Sequence, residues 1–169
     1  LLALSLGLTL VGSAVAQSYP SRPITMVVPW GAGGGTDATA RIVAALMEKE
    51  MGQPVNVVNR TGGNGVVGHS AIATAPADGY TIGTAVASEL ATYPVTIKEL
   101  RFDPLRDLPN LTGLVESRLV MVTSTGHPWK SFGELVSNAR ANPGKLNYGS
   151  SSALTRLLAE SVIQGQSLN

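Results

Sequence analysis

Short apolar runs alternate with amphipathic segments over the first half of the chain. The run at 24–28 is apolar or β-branched and lies between two prolines, which is typical of a buried strand. Apolar residues then recur at helical spacing over 36–51, and Gly52 is placed to end that helix. A second strand, turn and helix are predicted over 55–74, and a third strand over 80–84. This pattern predicts an α/β fold whose parallel strands are joined by right-handed helical crossovers.

Two glycine-rich turns, at 31–35 and 61–65, each connect a predicted strand to a predicted helix. Both are expected at the carboxyl edge of one sheet, where α/β proteins bind ligands. A helix start presents unpaired N–H groups and the positive end of a dipole, so such a turn can bind an anion. The dinucleotide pattern is broken because Thr36 replaces its third glycine, and Asn59 and Arg60 replace the ribose-binding acid. A tight turn without a ligand is the structural alternative.

The periodicity fades over 90–110, where three prolines predict an irregular connection that contains a hinge. The elements predicted beyond it are a strand at 119–122, a helix that starts after Ser131 and ends at 142–144, a strand at 146–148, and a helix over 153–164. These strands are too few to close a second sheet. We therefore expect a first lobe over 17–105 and the start of an incomplete second lobe over 106–169.

The first sixteen residues are small or apolar and carry no charge. They predict a signal peptide at 1–16 that lacks its basic start and is cleaved after Ala16, so that the mature protein begins near Gln17. The apolar run stops at Val11, well short of the roughly 20 residues that span a membrane. The alternative, a buried N-terminal helix, would carry a polar face that this segment lacks.

Composition and charge narrow the chemistry. The chain has no cysteine, which excludes disulfides, a thiolate nucleophile and cysteine-bound zinc. The 12 basic and 11 acidic residues give no basic stripe for nucleic acid. His69 and His127 have no carboxylate at metal-ligand spacing. The alternative from another class is a secreted hydrolase that pairs Ser88 or Ser150 with one of these histidines, although no nucleophile-elbow motif is present.

Several short motifs follow the order and spacing of a known family. They are SRPI at 21–24, VVPW at 27–30, TD at 36–37, GQPV at 52–55, NR at 59–60, GGNG at 62–65 with Gly68, DGYT at 78–81, FDP at 102–104 with Asp107, and PGKLNYGS at 143–150. With these motifs the chain resembles the substrate-binding proteins of tripartite tricarboxylate transporters, also called the Bug family.

The resemblance implies a two-lobed, periplasmic binding protein-like fold of type II, of which this sequence is an N-terminal fragment. It implies an extracytoplasmic solute-binding protein that captures a small carboxylate, such as a di- or tricarboxylate or a related organic acid, for its transporter. The expected location is the periplasm, and the expected partners are the ligand and the membrane permease subunits. No enzymatic activity, metal, cofactor or nucleic acid is expected, and the protein is expected to be a monomer.

The resemblance also places the carboxylate on backbone N–H groups in the loop after the first strand. The predicted ligand-binding residues are Trp30, Gly31, Ala32, Gly33, Gly34, Gly35, Thr36, Asp37, Ser88, Ser150 and Ser151. Asp37 is expected to cap the helix and shape the loop more than to touch the ligand, because a carboxylate repels an anion. A side chain at Gly34 is expected to block the ligand and to oppose the local backbone angle. The loop at 149–156 departs from the family because it lacks a later glycine and the histidine before Leu157.

Overall fold

Three parallel strands form the centre of the molecule in the computed structural model, which describes residues 18–168. The strands are β1 (Ile24–Val28), β2 (Val55–Asn59) and β3 (Thr81–Gly83), in the order β2-β1-β3. Met26 lies opposite Val57 on one side and Ile82 on the other, so β1 is hydrogen-bonded along both edges. The predicted parallel sheet is confirmed. The predicted signal peptide at 1–16 lies outside the described residues.

Five α-helices accompany the sheet in the described residues. They are α1 (Gly35–Met51), α2 (Val66–Ala73), α3 (Ala87–Thr96), α4 (Phe132–Ala141) and α5 (Ala153–Gly165), and a single 3-10 turn at Gly63–Gly65 precedes α2. None of them is long and apolar enough to cross a membrane. Four of the five were predicted from periodicity and turn residues, and α3 was not.

The core forms where α1 packs on β1 and β2. Ala40 and Ala44 lie on the buried face of α1, and their small side chains allow the helix to approach the strands closely. The core cluster consists of Ile24, Met26, Val28, Ala40, Ala44 and Val55. At its far end α1 stops at Gly52, which adopts a left-handed conformation (φ 67°) and donates its N–H to Glu48 O.

Two glycines bring α2 against the sheet. A Cβ atom at Gly68 on α2 would lie 2.8 Å from Arg60 O and from Pro29 Cα. One at Gly83 on β3 would overlap the side chain of Ile72 on α2 and would lie 2.8 Å from Val27 O. These contacts leave no space for any side chain. The ends of β1 and β2 and the second glycine-rich turn are therefore held close together.

The irregular connection predicted over 90–110 is wrong in its first part. The helix α3 continues to Thr96 with Pro94 inside it, although proline removes a donor and crowds the preceding turn. Tyr93 anchors this helix because its side chain is fully buried. Burial of a large aromatic residue outweighs the local cost of proline here. Residues 97–110 are irregular, as predicted.

Neither strand predicted beyond residue 105 is present in the described chain. Residues 119–122 and 146–148 pair with no other segment, and all four side chains of 119–122 are exposed. A strand needs a partner for its N–H and C=O groups, and the described residues offer none here. The division into two lobes at residue 105 stays a prediction.

Both helices predicted in this second half are confirmed. Ser131 Oγ accepts the N–H of Glu134 at the start of α4, while the Glu134 carboxylate accepts the N–H of Lys130. Ser152 and Thr155 form a reciprocal capping box at the start of α5. The helix α5 packs against α3, so the last described helix contacts the first half of the chain.

Candidate functional site

The first glycine-rich turn leads from β1 into α1 at the carboxyl edge of the sheet. Gly31 to Gly35 are exposed, and Gly34 is the residue before the first helical turn. The first N–H groups of α1 have no acceptor within the helix. They lie at the positive end of a helix of 17 residues. This geometry can hold an anion.

The conformational requirement for glycine falls on Gly33. Its φ is 82°, a left-handed value that a β-branched residue adopts only with strain. Gly34 has an ordinary φ of −75°, and a Cβ there would meet only Gly31 O, at 3.4 Å. The expectation that Gly34 is required by its backbone angle is therefore wrong, and Gly33 fills that role.

Asp37 fixes the shape of this turn from inside. Its carboxylate accepts the N–H of Gly33 at 2.8 Å, Arg41 Nε at 3.0 Å and Asn59 Nδ2 at 2.9 Å. The side chain is buried, with 3% of its surface exposed. The hydrogen bond from Arg41, followed by those from Gly33 and Asn59, holds the pKa of Asp37 well below its ordinary value of 3.8. Asp37 is thus an ionised group that shapes the turn, as predicted. It does not cap the helix as expected, because the N-cap residue is Gly34 and Asp37 lies within the first turn of α1.

Asn59, the last residue of β2, completes this bracing network. Its Nδ2 donates to Trp30 O at 2.9 Å as well as to Asp37, and its Oδ1 accepts from Arg41 Nη2 at 3.3 Å. The network joins β2, α1 and the turn. Because the Arg41 cation lies against the Asp37 carboxylate, Asp37 repels an anion at the turn less than a lone carboxylate would. In the sequence Asn59 is part of the NR motif and replaces the ribose-binding acid, but neither feature predicts this bracing role.

The second glycine-rich turn lies beside the first. Arg60 N donates to Val28 O at 2.9 Å and thereby ties the ends of β2 and β1 together. Four consecutive residues from Gly62 to Gly65 have positive φ, including Asn64 at 54°. Only a glycine-rich sequence permits such a run. The predicted meeting of both turns at one sheet edge is confirmed.

The predicted serine contacts are distributed differently. Ser88 lies in the first turn of α3, after β3, and its Oγ donates to Glu89 Oε2 at 2.9 Å. Ser150 donates to Ser152 O at 2.8 Å, and Ser151 is exposed. Within residues 18–168, no hydrogen bond links any of these serines to the first turn. Their role as ligand-binding residues stays a prediction.

The histidines do not pair with serine in the described part of the chain. His69 Nδ1 lies 2.9 Å from the Tyr93 hydroxyl, and the His127 ring stacks on Trp129 with centroids 4.2 Å apart. Over the same residues no group of three or more His, Asp or Glu side chains could hold a metal ion. The arrangement gives neither histidine a serine to activate.

Residues 39–169 match the family model described as tripartite tricarboxylate transporter family receptor. A relative from Cupriavidus necator, the UPF0065 protein in the gbd 5' region, is 38% identical over 144 residues, which is 85% of this chain and 43% of that protein. The chain thus spans about half the length of the curated relatives it matches.

Solved structures agree with this assignment. MatC from Rhodopseudomonas palustris with bound malate has a TM-score of 0.75 and 27% identity, over 89% of this chain and 52% of its own. R. palustris Rpa4515 with adipate has a TM-score of 0.72 and 29% identity, over 90% of this chain and 52% of its own. The fold is that of periplasmic binding proteins, and the predicted resemblance is confirmed. The chain belongs to the tripartite tricarboxylate transporter receptor family.

Proposed function

We propose that the protein captures a small carboxylate on the first glycine-rich turn and delivers it to a tripartite tricarboxylate transporter. The observation that carries this proposal is the exposed turn before α1, which is braced by a charge-balanced Asp37–Arg41 pair. It leads into the first N–H groups of the helix, which have no acceptor within the helix. The carboxylates bound by two similar structures, malate and adipate, support the ligand class.

The energetics suit reversible capture. Hydrogen bonds to a charged group contribute about 1.5 to 3 kcal/mol each, and a helix terminus adds up to about 2 kcal/mol. Three such bonds and one terminus reach the roughly 8 kcal/mol of micromolar binding. No nucleophile is required, and we propose that the ligand leaves unchanged. Trp30 is half-buried and precedes the turn, and we propose that it forms one wall of the site.

The complete protein is proposed to work in the periplasm after cleavage of a signal peptide at 1–16. The partners proposed for it are the permease subunits of the transporter, and we propose that it acts as a monomer. Mass spectrometry of the exported protein tests the first point, with an N-terminus within two residues of Gln17 as the expected result. Material that retained Leu1 would contradict it.

A thermal-shift screen of the complete protein against mono-, di- and tricarboxylates tests the function. A ligand at a hundred times its dissociation constant adds about 2.7 kcal/mol of stability. The corresponding amides, which lack a carboxylate, serve as controls. Failure of every carboxylate to stabilise the protein would overturn the proposal.

A further inference from the structure

Behind the two turns lies a buried pair of polar side chains. His69 on α2 and Tyr93 on α3 are both fully buried, and His69 Nδ1 lies 2.9 Å from Tyr93 Oη. Tyr93 Oη lies 2.8 Å from the carbonyl oxygen of Asn64, in the second turn. The pair therefore joins two helices to the most unusual backbone segment of the molecule.

The direction of these hydrogen bonds follows from the available protons. The Asn64 carbonyl only accepts, so the single hydroxyl proton of Tyr93 is donated to it. His69 Nδ1 must then carry a proton and donate to Tyr93 Oη. In neutral His69 this leaves Nε2 as a bare lone pair, and Nε2 is buried with no hydrogen-bond partner.

His69 also contacts Trp30, the residue before the first turn. The Trp30 ring lies edge-on to His69, with centroids 5.5 Å apart, while Asn59 holds the Trp30 carbonyl. On the other side a Cβ at Gly65 would lie 2.8 Å from Tyr93 Oη and 3.4 Å from the His69 ring. The second turn thus rests on both side chains, and Trp30, the residue before the first turn, rests on His69.

We propose that His69 and Tyr93 are positioning residues that hold the two glycine-rich turns in one arrangement competent to bind the carboxylate. This inference rests on the proposed function. In this proposal neither side chain contacts the carboxylate. His69 acts through Trp30, and Tyr93 acts through Asn64.

The protonation of His69 should make carboxylate affinity depend on pH. A role of the pair in stability alone would not change this pH dependence. Burial, with a smaller contribution from the Glu89 charge, raises the pKa of Tyr93 to about 12, so the phenol stays a donor. Burial lowers the pKa of His69 below 6.5. Hydrogen bonding to the backbone of Gly65 and Thr84 raises this pKa, but by less than burial lowers it. Glu89 on α3 is the acidic group acting on Tyr93, and it accepts a hydrogen bond from Ser88. As the pH falls below 6.5, protonation favours states in which His69 leaves its site, and binding should weaken.

The test compares three variants of the complete protein by calorimetry with malate and with adipate. Tyr93→Phe keeps the ring but leaves Asn64 O and His69 Nδ1 unpaired, and the affinity is expected to fall about tenfold. Tyr148→Phe is the matched control, because it removes an exposed hydroxyl bonded only to Glu160 and should leave the affinity unchanged. His69→Asn retains a donor near the Nδ1 position and should bind within about threefold of wild type at pH 7.5.

The pH profile decides the mechanism. Between pH 7.5 and 5.5 the wild-type affinity should fall relative to that of His69→Asn, which carries no titrating ring. Suppose that malate or adipate binds the wild-type protein. If Tyr93→Phe then binds it equally well, or if wild type and His69→Asn have the same pH profile, the positioning role is wrong while the proposed function stands. If no carboxylate binds the wild-type protein, both proposals are wrong.

Discussion

Two apolar runs of similar composition lie in opposite environments in this molecule. Val27 and Val28 in β1 are 2% and 0% exposed, whereas Val120 and Val122 are 81% and 84% exposed. The first run has a strand on each side, and the second has no partner among the described residues. Apolar, β-branched composition therefore makes a segment fit for a sheet, but only a neighbouring strand satisfies its backbone.

The same contrast holds for the two halves as a whole. Of the ten buried hydrophobic residues in the described chain, only Val136 lies beyond residue 102. The helix α5 has a capped start and an apolar face, yet none of its residues is buried. Because the relatives are about twice as long as this chain, we expect the complete protein to supply the strands that cover 119–122.

The largest effect should come from placing a charge in the first run. Val28→Asp would bury a carboxylate without a partner in the core, at a cost of about 4 kcal/mol or more. An ordinary domain has about 5 to 15 kcal/mol of stability in total, so the variant should lose a large part of it. Urea denaturation measures this.

Val120→Asp is the matched variant in the second run. In the chain of 169 residues it should change the unfolding free energy by less than about 0.5 kcal/mol, because the side chain is exposed. In the complete protein it should cost at least about 2 kcal/mol if the run gains strand neighbours. Equal small effects in both proteins would show that this segment never joins a sheet.

The next effect concerns ligand affinity at the two ends of α1. Gly33→Val forces a β-branched residue to a φ of 82° and should lower carboxylate affinity by more than about tenfold. Gly52→Val imposes similar strain at a φ of 67°, with no neighbouring atom within 4 Å, at the opposite end of the helix. Calorimetry should show a loss of carboxylate affinity for Gly33→Val but not for Gly52→Val. A loss of affinity in both would indicate a general effect of helix destabilisation.

The sequence predicted the parts of the fold whose causes are local. The stop at Gly52 and the cap at Ser131 each depend on neighbouring residues, and both are confirmed. The irregular segment predicted around Pro94 is wrong because the burial of Tyr93, which depends on tertiary packing, favours a helix there. At the site, the role of Asp37 was predictable from its place in the first helical turn. Its partner Asn59 was not, because 22 residues separate them and only the sheet register joins them.

A smaller effect is expected from removing the charge of Asp37. Its lowered pKa means that the folded state holds the proton less tightly than the unfolded chain, whose value is near 3.8. The resulting stabilisation is complete above that value and is lost as the pH falls through the lower folded pKa. Asp37→Asn should therefore flatten the acid limb of the stability profile below about pH 5 while the fold persists at pH 7. Acid denaturation followed by circular dichroism checks this, and an unchanged acid limb would contradict the bracing role.

The smallest effect should come from the surface pair between Arg22 and Asp78. Arg22 Nη2 lies 2.9 Å from Asp78 Oδ2, and its guanidinium stacks over the Tyr80 ring at 3.8 Å from the centroid. Both charged side chains are about half exposed, so water and salt screen their attraction. Arg22→Ala should cost about 0.5 to 1 kcal/mol of unfolding free energy, of which the contact with Tyr80 supplies the part that salt does not remove. Urea denaturation of both proteins at low and at 1 M salt separates the two contributions: a cost that vanishes entirely at high salt would show that the ring contact stabilises nothing.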